Sequence, residues 1–499
     1  MSLVGKVGRK RPRARFAMLM LYGLLLLGAV TTLYPFALMV STGFKGPTDQ
    51  DDGNLLPSFW SDDKELEEKY LNDKYSGDLG MIASYAVGEE ADAETLKNYE
   101  KFLMELPPDK WIAGFRTPPN HVTSKLRLRF QAWLRTKYDG DISKLNDAYA
   151  EINQAFQTVT PPVEAYYRAG WVPKDDEKWR DWIEFKETLP AEFRIPLRQE
   201  RFYQEGLRTE FEGQISQVPE EMRKGAATFD EIRVDTGVVI IGPEAADAKW
   251  FGIVDGEMPI LAFDRAQLAA NAPEIKREMS TRNYRFVVDY IALNGRALWN
   301  TAIFCGLAVL LQLTVNPLAA YALSRFPMKA TAKLLMFLLA TMAFPAEVAM
   351  IPSFLLLKNL GLLNTFAALV LPTAANGYMI FLLKGFFDSQ PREVFESGQI
   401  DGASETKMMM KIAMPLSKPV LGYMALLAFM GAYGAFLYAF LVAQDKQIWT
   451  LMVFIYQLQQ IAPKSVMMAA VTLAALPTIV VFLAAQRVIM RGIVLPGER

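Results

Sequence analysis

The sequence predicts an α-helical integral membrane protein of six transmembrane helices, with a mainly α, partly β domain inserted after the first of them. Two observations carry that prediction. Hydrophobic residues make up 52% of the 499, and the long apolar runs lie only at the two ends of the chain. Between them, residues 45–282 interleave charged residues with Trp, Tyr and Phe, and hold no run near the roughly 20 apolar residues that a bilayer-crossing helix needs.

Composition excludes several classes of function. A single Cys, Cys305, rules out an intrachain disulfide, and a single His, His121, argues against His-based zinc sites and catalytic triads. The chain has no G-x-x-x-x-G-K-[ST] phosphate loop, so any ATP must be hydrolysed by another chain. The expectation is a non-catalytic protein with no metal and no cofactor. The net charge of −1 hides a split between apolar, basic ends and a polar, acidic middle.

Residues 1–15 carry Lys6, Arg9, Lys10, Arg11, Arg13 and Arg15, and no acidic residue precedes Asp49. The apolar run that follows, within 16–44, is too long for a signal peptide and lacks a small-x-small cleavage site. It reads as a first membrane helix with its basic start in the cytoplasm. The inserted stretch then falls outside the cytoplasm. Asp62–Leu71 and Glu94–Leu106 read as helices, and Phe130–Ala150 as two helices joined at Asp139-Gly140. Trp171, Trp179, Trp182 and Phe185 are candidates for an aromatic core. Gly237–Gly242, Trp250–Val254 and Ile260–Phe263 read as short strands between Gly and Pro turns.

Five further spans are expected at about 298–324, 332–357, 365–387, 418–443 and 466–490, within a core covering 283–499. Arg325, Lys329 and Lys333, then Arg392 to Lys418, then Arg487 and Arg491 fall on one side, which puts both termini in the cytoplasm. Residues 449–463 suit a re-entrant or interfacial segment.

The loop 391–419, PREVFESGQIDGASETKMMMKIAMPLSKP, is charged and Gly-punctuated between two apolar segments. Its charges cannot sit in lipid, where each costs roughly 2.5–3.5 kcal/mol at the core. The pattern predicts a helix over 392–401, a break at Gly402 and a second helix from Ser404 to the Met414-Pro415 stop. Glu396-Ser-Gly-x-x-Asp401-Gly402-Ala403, followed by Met414-Pro415-Leu416 and Pro419, resembles the EAA loop of ABC-importer permeases. Other blocks fit the carbohydrate branch of that family, which includes the maltose transporter's smaller membrane subunit. They are Ser41-Thr-Gly-Phe-Lys45, Asn283-Tyr284, Asn300-Thr301, Ala319 through Arg325-Phe326, Gly361-Leu-Leu-Asn364-Thr and Phe381 through Phe386-Phe387.

The resemblance implies a permease subunit of an ATP-driven importer of a sugar or oligosaccharide, multi-pass in the cell (inner) membrane. Its implied partners are ABC ATPase subunits, a second permease subunit and an extracytoplasmic solute-binding protein, with no nucleic acid. Glu396, Ser397, Gly398, Asp401, Gly402, Ala403 and Pro415 would form the ATPase-coupling loop. Possible pathway residues are Glu347, Asn376 and Tyr433. Tyr433-Gly434-Ala435 stands where the family often carries a polar Trp-Asn-Asp cluster, and Glu347, between Pro345 and Pro352, stands where the family is usually apolar. The alternative reading is a membrane-anchored sensor or scaffold whose outer domain binds a ligand or protein. Within the insertion, Trp133 through Tyr149 is similar to a helical segment of some β-galactosidase-type glycosidases. No alternating strand–helix pattern accompanies it, so catalysis is not expected there. The inserted domain is expected to cap the pathway and to meet the binding protein or the partner permease.

Overall fold

A computed structural model describes residues 12–84, 90–116, 125–153, 156–168, 170–234, 245–251, 257–293, 296–326, 328–341, 345–460 and 462–492. The segment 1–11, His121 and the Gly237–Gly242 strand expectation lie outside the described residues. The chain divides into two compact units, one of residues 1–286 with 461–469, the other of residues 287–460 with 470–499.

The first unit begins with α1 (Pro12–Thr42), whose apolar stretch 19–37 is exposed, as suits a lipid-facing helix, while Ser41 and Thr42 at its end are buried. At its end two distant sequence blocks meet. The Asn283 side-chain amide donates to the carbonyls of Gly43 (3.1 Å) and Lys45 (2.6 Å), and the Tyr284 hydroxyl donates to that of Val40 (2.9 Å). These bonds satisfy carbonyls that a helix end leaves without partners. A Cβ on Gly43 would sit 2.5 Å from the Tyr284 hydroxyl, so the close approach requires glycine.

The polar part of this unit is mainly helical. Asp62 caps α2 (Asp63–Lys74), Asp92 caps α3 (Ala93–Glu105), and Asp141 caps α5 (Ile142–Tyr149), each by accepting a backbone N–H of the first turn. Between α4 (Lys125–Lys137) and α5 the chain turns through Asp139 (φ 54°) and Gly140 (φ 73°), the left-handed pair that the Asp-Gly signal predicts. Next comes α6 (Glu177–Glu187). Two short strands, β1 (Trp111–Ala113) and β2 (Arg194–Pro196), pair antiparallel with Ile112 opposite Ile195.

Trp111, Trp182, Phe130 and Phe193 are fully buried, with Trp182 edge-on to Phe130 at 5.2 Å. Trp171 and Trp179 pack edge-to-face at the margin of this core. Asp181, fully buried, accepts from Lys137 Nζ (2.7 Å), Tyr138 (2.7 Å) and Tyr149 (2.8 Å). Lys137, Tyr138 and Tyr149 of the glycosidase-like stretch are thus engaged in bonds within the domain.

The strand expectation for Ile260–Phe263 is corrected: these residues open α7 (Ile260–Val288). Four apolar residues fit either period, and only length decides between a strand and a buried helix. Trp250 likewise lies in a helix, Ala246–Phe251, and residues 252–254 are outside the described set. Pro273 interrupts α7, and Asn271 just before it leaves helical geometry.

The second unit holds α8 (Ala297–Arg325), α9 (Thr331–Thr341), α10 (Ala346–Asn359), α11 (Phe366–Val370), α12 (Gly377–Asp388), α13 (Arg392–Ile400), α14 (Glu405–Leu416), α15 (Lys418–Tyr433), α16 (Leu437–Val442) and α17 (Leu451–Gln459). The last helix, α18 (Lys464–Gly492), begins in the first unit and runs on into the second. Three helices of the described chain are long and apolar enough to cross a membrane. The number rises to five if two bent pairs each count as one span: 366–373 with α12 at 53°, and α14 with α15 at 84°. The expected spans over 332–357 and 418–443 differ, for each is two shorter helices. Pro345 lacks the N–H that a continuous helix needs, and α10 starts immediately after it. The segment 449–463 forms the nine-residue α17, whose Leu451 N–H is held by the Thr301 hydroxyl at 2.7 Å.

Candidate coupling loop and membrane cavity

The loop 391–419 folds as its sequence pattern predicts. Pro391, with φ −57° and ψ 130°, stands at the N-cap immediately before α13. Phe395 is the buried anchor of this helix, 4% exposed, in one cluster with Leu323, Leu383, Phe387, Met408 and Met424. Burying such a ring contributes roughly 1.5–3 kcal/mol. Arg325, the last residue of α8, lays its guanidinium over the Phe395 ring. Gly398 faces the same interior, and a Cβ there would come 3.2 Å from Ile412 Cδ1.

Asp401 ends α13 and Gly402 reverses the chain at φ 73°. The Ala403 N–H returns to the Gly398 carbonyl (2.9 Å) and the Gly402 N–H to that of Gln399 (3.0 Å), the bonds of a glycine-terminated helix. The Ser404 side chain then caps α14, and Glu405 accepts from the Tyr321 hydroxyl at 2.8 Å. Met409–Ala413 takes a π turn, and Gln390 braces it with bonds to Ala413 O (3.2 Å) and Ser417 Oγ (3.0 Å). Pro415 lies in the last turn of α14, which ends one residue later at Leu416, and the sharp bend comes at Ser417.

The loop thus has two faces. Phe395, Gly398 and Ala403 point inward, whereas Glu393, Glu396, Ser397, Asp401, Gly402 and Pro415 are exposed. Residues 393, 396, 397 and 400 share one stripe of α13 at helical spacing. Ile400 on that stripe is 86% exposed and Val394 beside it 39%. Sequence reasoning named the charged and small residues but missed Phe395 and Ile400. The signal was present: in a helix over 392–400, Phe395 falls opposite Glu393 and Ile400, so one apolar residue had to face out.

A cavity of about 430 Å³ lies within the membrane unit, walled by α8, α10, α15 and α16 and by residues 369–373. Glu347, in the first turn of α10, lines it with Phe304, Gln312, Ser353, Thr373 and Phe436. The other two expected pathway residues do not line it. The Asn376 side chain caps α12, accepting from the Met379 N–H at 3.1 Å, and its own N–H is held by Asn316 Oδ1 at 2.8 Å. Tyr433 is buried and donates to the Ala474 carbonyl at 2.6 Å, while its neighbours Gly431, Ala432 and Ala435 form the wall. Gln312, Ser353 and Thr373 had no local signal in the sequence, since each is an isolated polar residue in an apolar helix or turn.

The family described as "Binding-protein-dependent transport system inner membrane component" matches residues 316–494, which contain the loop and most of the cavity wall. "Protein LplC" of Bacillus subtilis (strain 168) is 34% identical over 192 residues, 35% of this chain; the chain spans 64% of that relative's length. The "Trehalose/maltose transport system permease protein MalG" of Thermococcus litoralis is 30% identical over 242 residues, 47% of this chain and 87% of its own length. The "sn-glycerol-3-phosphate transport system permease protein UgpE" of Salmonella typhi is 30% identical over 288 residues, 55% of this chain and 98% of its own length. A solved bacterial ABC transporter involved in import of the acidic polysaccharide alginate is similar at 24% identity, over 41% of this chain and 78% of that chain, with a TM-score of 0.37. On the sequence relatives, this chain belongs to the binding-protein-dependent transport system inner membrane components, the permease subunits of ABC importers.

Proposed function

We propose that the chain is the membrane-spanning subunit of an ATP-driven importer for a sugar or oligosaccharide, and that loop 391–419 couples it to cytoplasmic ATPase subunits. The observation that carries this reading is the two-faced loop. Its inner face is fixed to the membrane helices by Phe395, Arg325 and the Tyr321–Glu405 bond. Its outer face offers Glu396, Asp401 and the exposed Ile400 around a glycine turn. An apolar residue ringed by carboxylates suits a cleft with an apolar floor and basic rim. Closure of two ATPase subunits would drag α13 and α14, and the rigid attachment would pass that motion to α8, α12 and α15.

Saccharide transport is supported by the relative whose name specifies trehalose and maltose. A second permease subunit would complete the pathway, and an extracytoplasmic binding protein would deliver the solute. Both termini and the loop would face the cytoplasm. UgpE is matched over 98% of its length by 55% of this chain, which supports reading the polar stretch as an insertion. Co-purification with the co-encoded subunits, followed by an ATPase assay with and without loaded binding protein, tests the reading. ATPase activity unresponsive to loaded binding protein would count against it.

A further inference from the structure

Resting on the saccharide reading above, the geometry points to Glu347 as the residue that sets the charge selectivity of this subunit's side of the pathway. It favours a saccharide that presents hydroxyl or ammonium donors, and it rejects one that carries phosphate or carboxylate. Among the described residues lining the cavity, Glu347 is the only charged one, and no Lys or Arg accompanies it. The remaining polar side chains are Gln312, Ser353, Thr373 and Tyr438, and the Tyr438 hydroxyl is already committed to the Ala368 carbonyl at 2.7 Å. Glu347 itself is exposed, in the first turn of α10.

An ionised carboxylate offers two acceptor oxygens and no donor. Sugar hydroxyls can satisfy it while their C–H faces lie on apolar walls such as Phe304 and Phe436. An anionic solute would instead meet a like charge with no cation in the cavity lining to offset it. At about 430 Å³ the cavity falls in the range of small-molecule sites, roughly 300–1,000 Å³.

The test uses the complete transporter, purified with its co-encoded partners and reconstituted into vesicles. ATP-dependent uptake of maltose and trehalose is compared with that of sn-glycerol-3-phosphate and digalacturonate for wild type, Glu347→Gln and Glu347→Lys. The expected result is a wild-type kcat/KM at least tenfold higher for the neutral sugars. That ratio should fall about tenfold in Glu347→Gln and further in Glu347→Lys, with unchanged co-purification of the subunits. Equal wild-type uptake of neutral and anionic probes, or a ratio unmoved by both substitutions, overturns the inference and leaves the saccharide reading standing. Uptake of none of the four probes removes the saccharide reading and the inference with it.

Discussion

The guanidinium of Arg325 lies 3.1 Å from the centre of the Phe395 ring, joining the end of the long helix α8 to the first helix of the loop. A planar guanidinium stacks on an aromatic face, drawn by the ring's quadrupole. In the proposed coupling, the contact and the buried cluster beneath it would carry a displacement of α13 to α8.

Phe395→Ala should therefore uncouple without preventing insertion. Emptying a buried phenylalanine site costs about 3–5 kcal/mol locally, and here the loss falls on the seating of the loop. Expected is a protein present in the membrane at near wild-type level, with solute uptake reduced at least tenfold and ATPase activity no longer stimulated by loaded binding protein. Wild-type uptake in vesicles would show that the anchor is dispensable.

Glu396→Lys and Gly402→Asp probe the outer face. Lys at 396 would repel a basic cleft, and Asp at 402 would have to adopt φ near 73°, with a cost of about 1 kcal/mol and a side chain in the turn. Both variants should insert normally and lose uptake, and subunit pull-down should weaken for Glu396→Lys in a salt-dependent way. Retained uptake in both would remove the coupling role of this face.

Thiol labelling addresses the topology. In a Cys305→Ala background, Ser143→Cys and Ser404→Cys place single thiols at exposed positions on α5 and at the start of α14. An impermeant maleimide on intact cells should label only the first. Reaction at position 404 before cell lysis would invert the proposed arrangement.

Acid should loosen the polar unit through Glu164. This buried carboxylate pairs with Lys186 at 2.7 Å and accepts from the Ala113 N–H at 3.0 Å. Burial alone would raise its pKa, but the charges of Lys186 and Arg116 outweigh that and hold it below the ordinary 4.5. A carboxyl whose folded value is depressed adds stability that is present above its unfolded value. That stability drains away as pH falls below 4.5 through the folded value. Lys186 lies over the Trp111 ring and Arg116 over that of Trp182, so tryptophan emission of the full chain in detergent reports on the pair. Glu164→Gln leaves Lys186 buried without its counter-charge, at a cost of about 3–5 kcal/mol. The variant should melt earlier at pH 7 and show a smaller loss of stability below pH 4.5 than wild type. Parallel acid titrations of variant and wild type would refute this assignment.

The sequence by itself determined the membrane character, the positions of the long apolar helices and the loop down to its turn. Each follows from a local rule: apolar length for the spans, an acidic first turn after Pro391, and a glycine where φ must be positive. It also marked Asp139-Gly140, for the same conformational reason. Tertiary structure alone decided which polar residues face the cavity. Asn376 and Tyr433 looked as eligible as Glu347, yet one is spent on capping α12 and the other on the Ala474 carbonyl, because a polar group in an apolar interior takes the nearest backbone partner. It also made 332–357 two helices and Ile260–Phe263 the start of a long one, since Pro345 breaks the hydrogen-bond ladder while a four-residue apolar run carries no period of its own. Finally, only the fold brought Asn283 to the carbonyls of Gly43 and Lys45, a pairing of residues about 240 positions apart that no local pattern encodes.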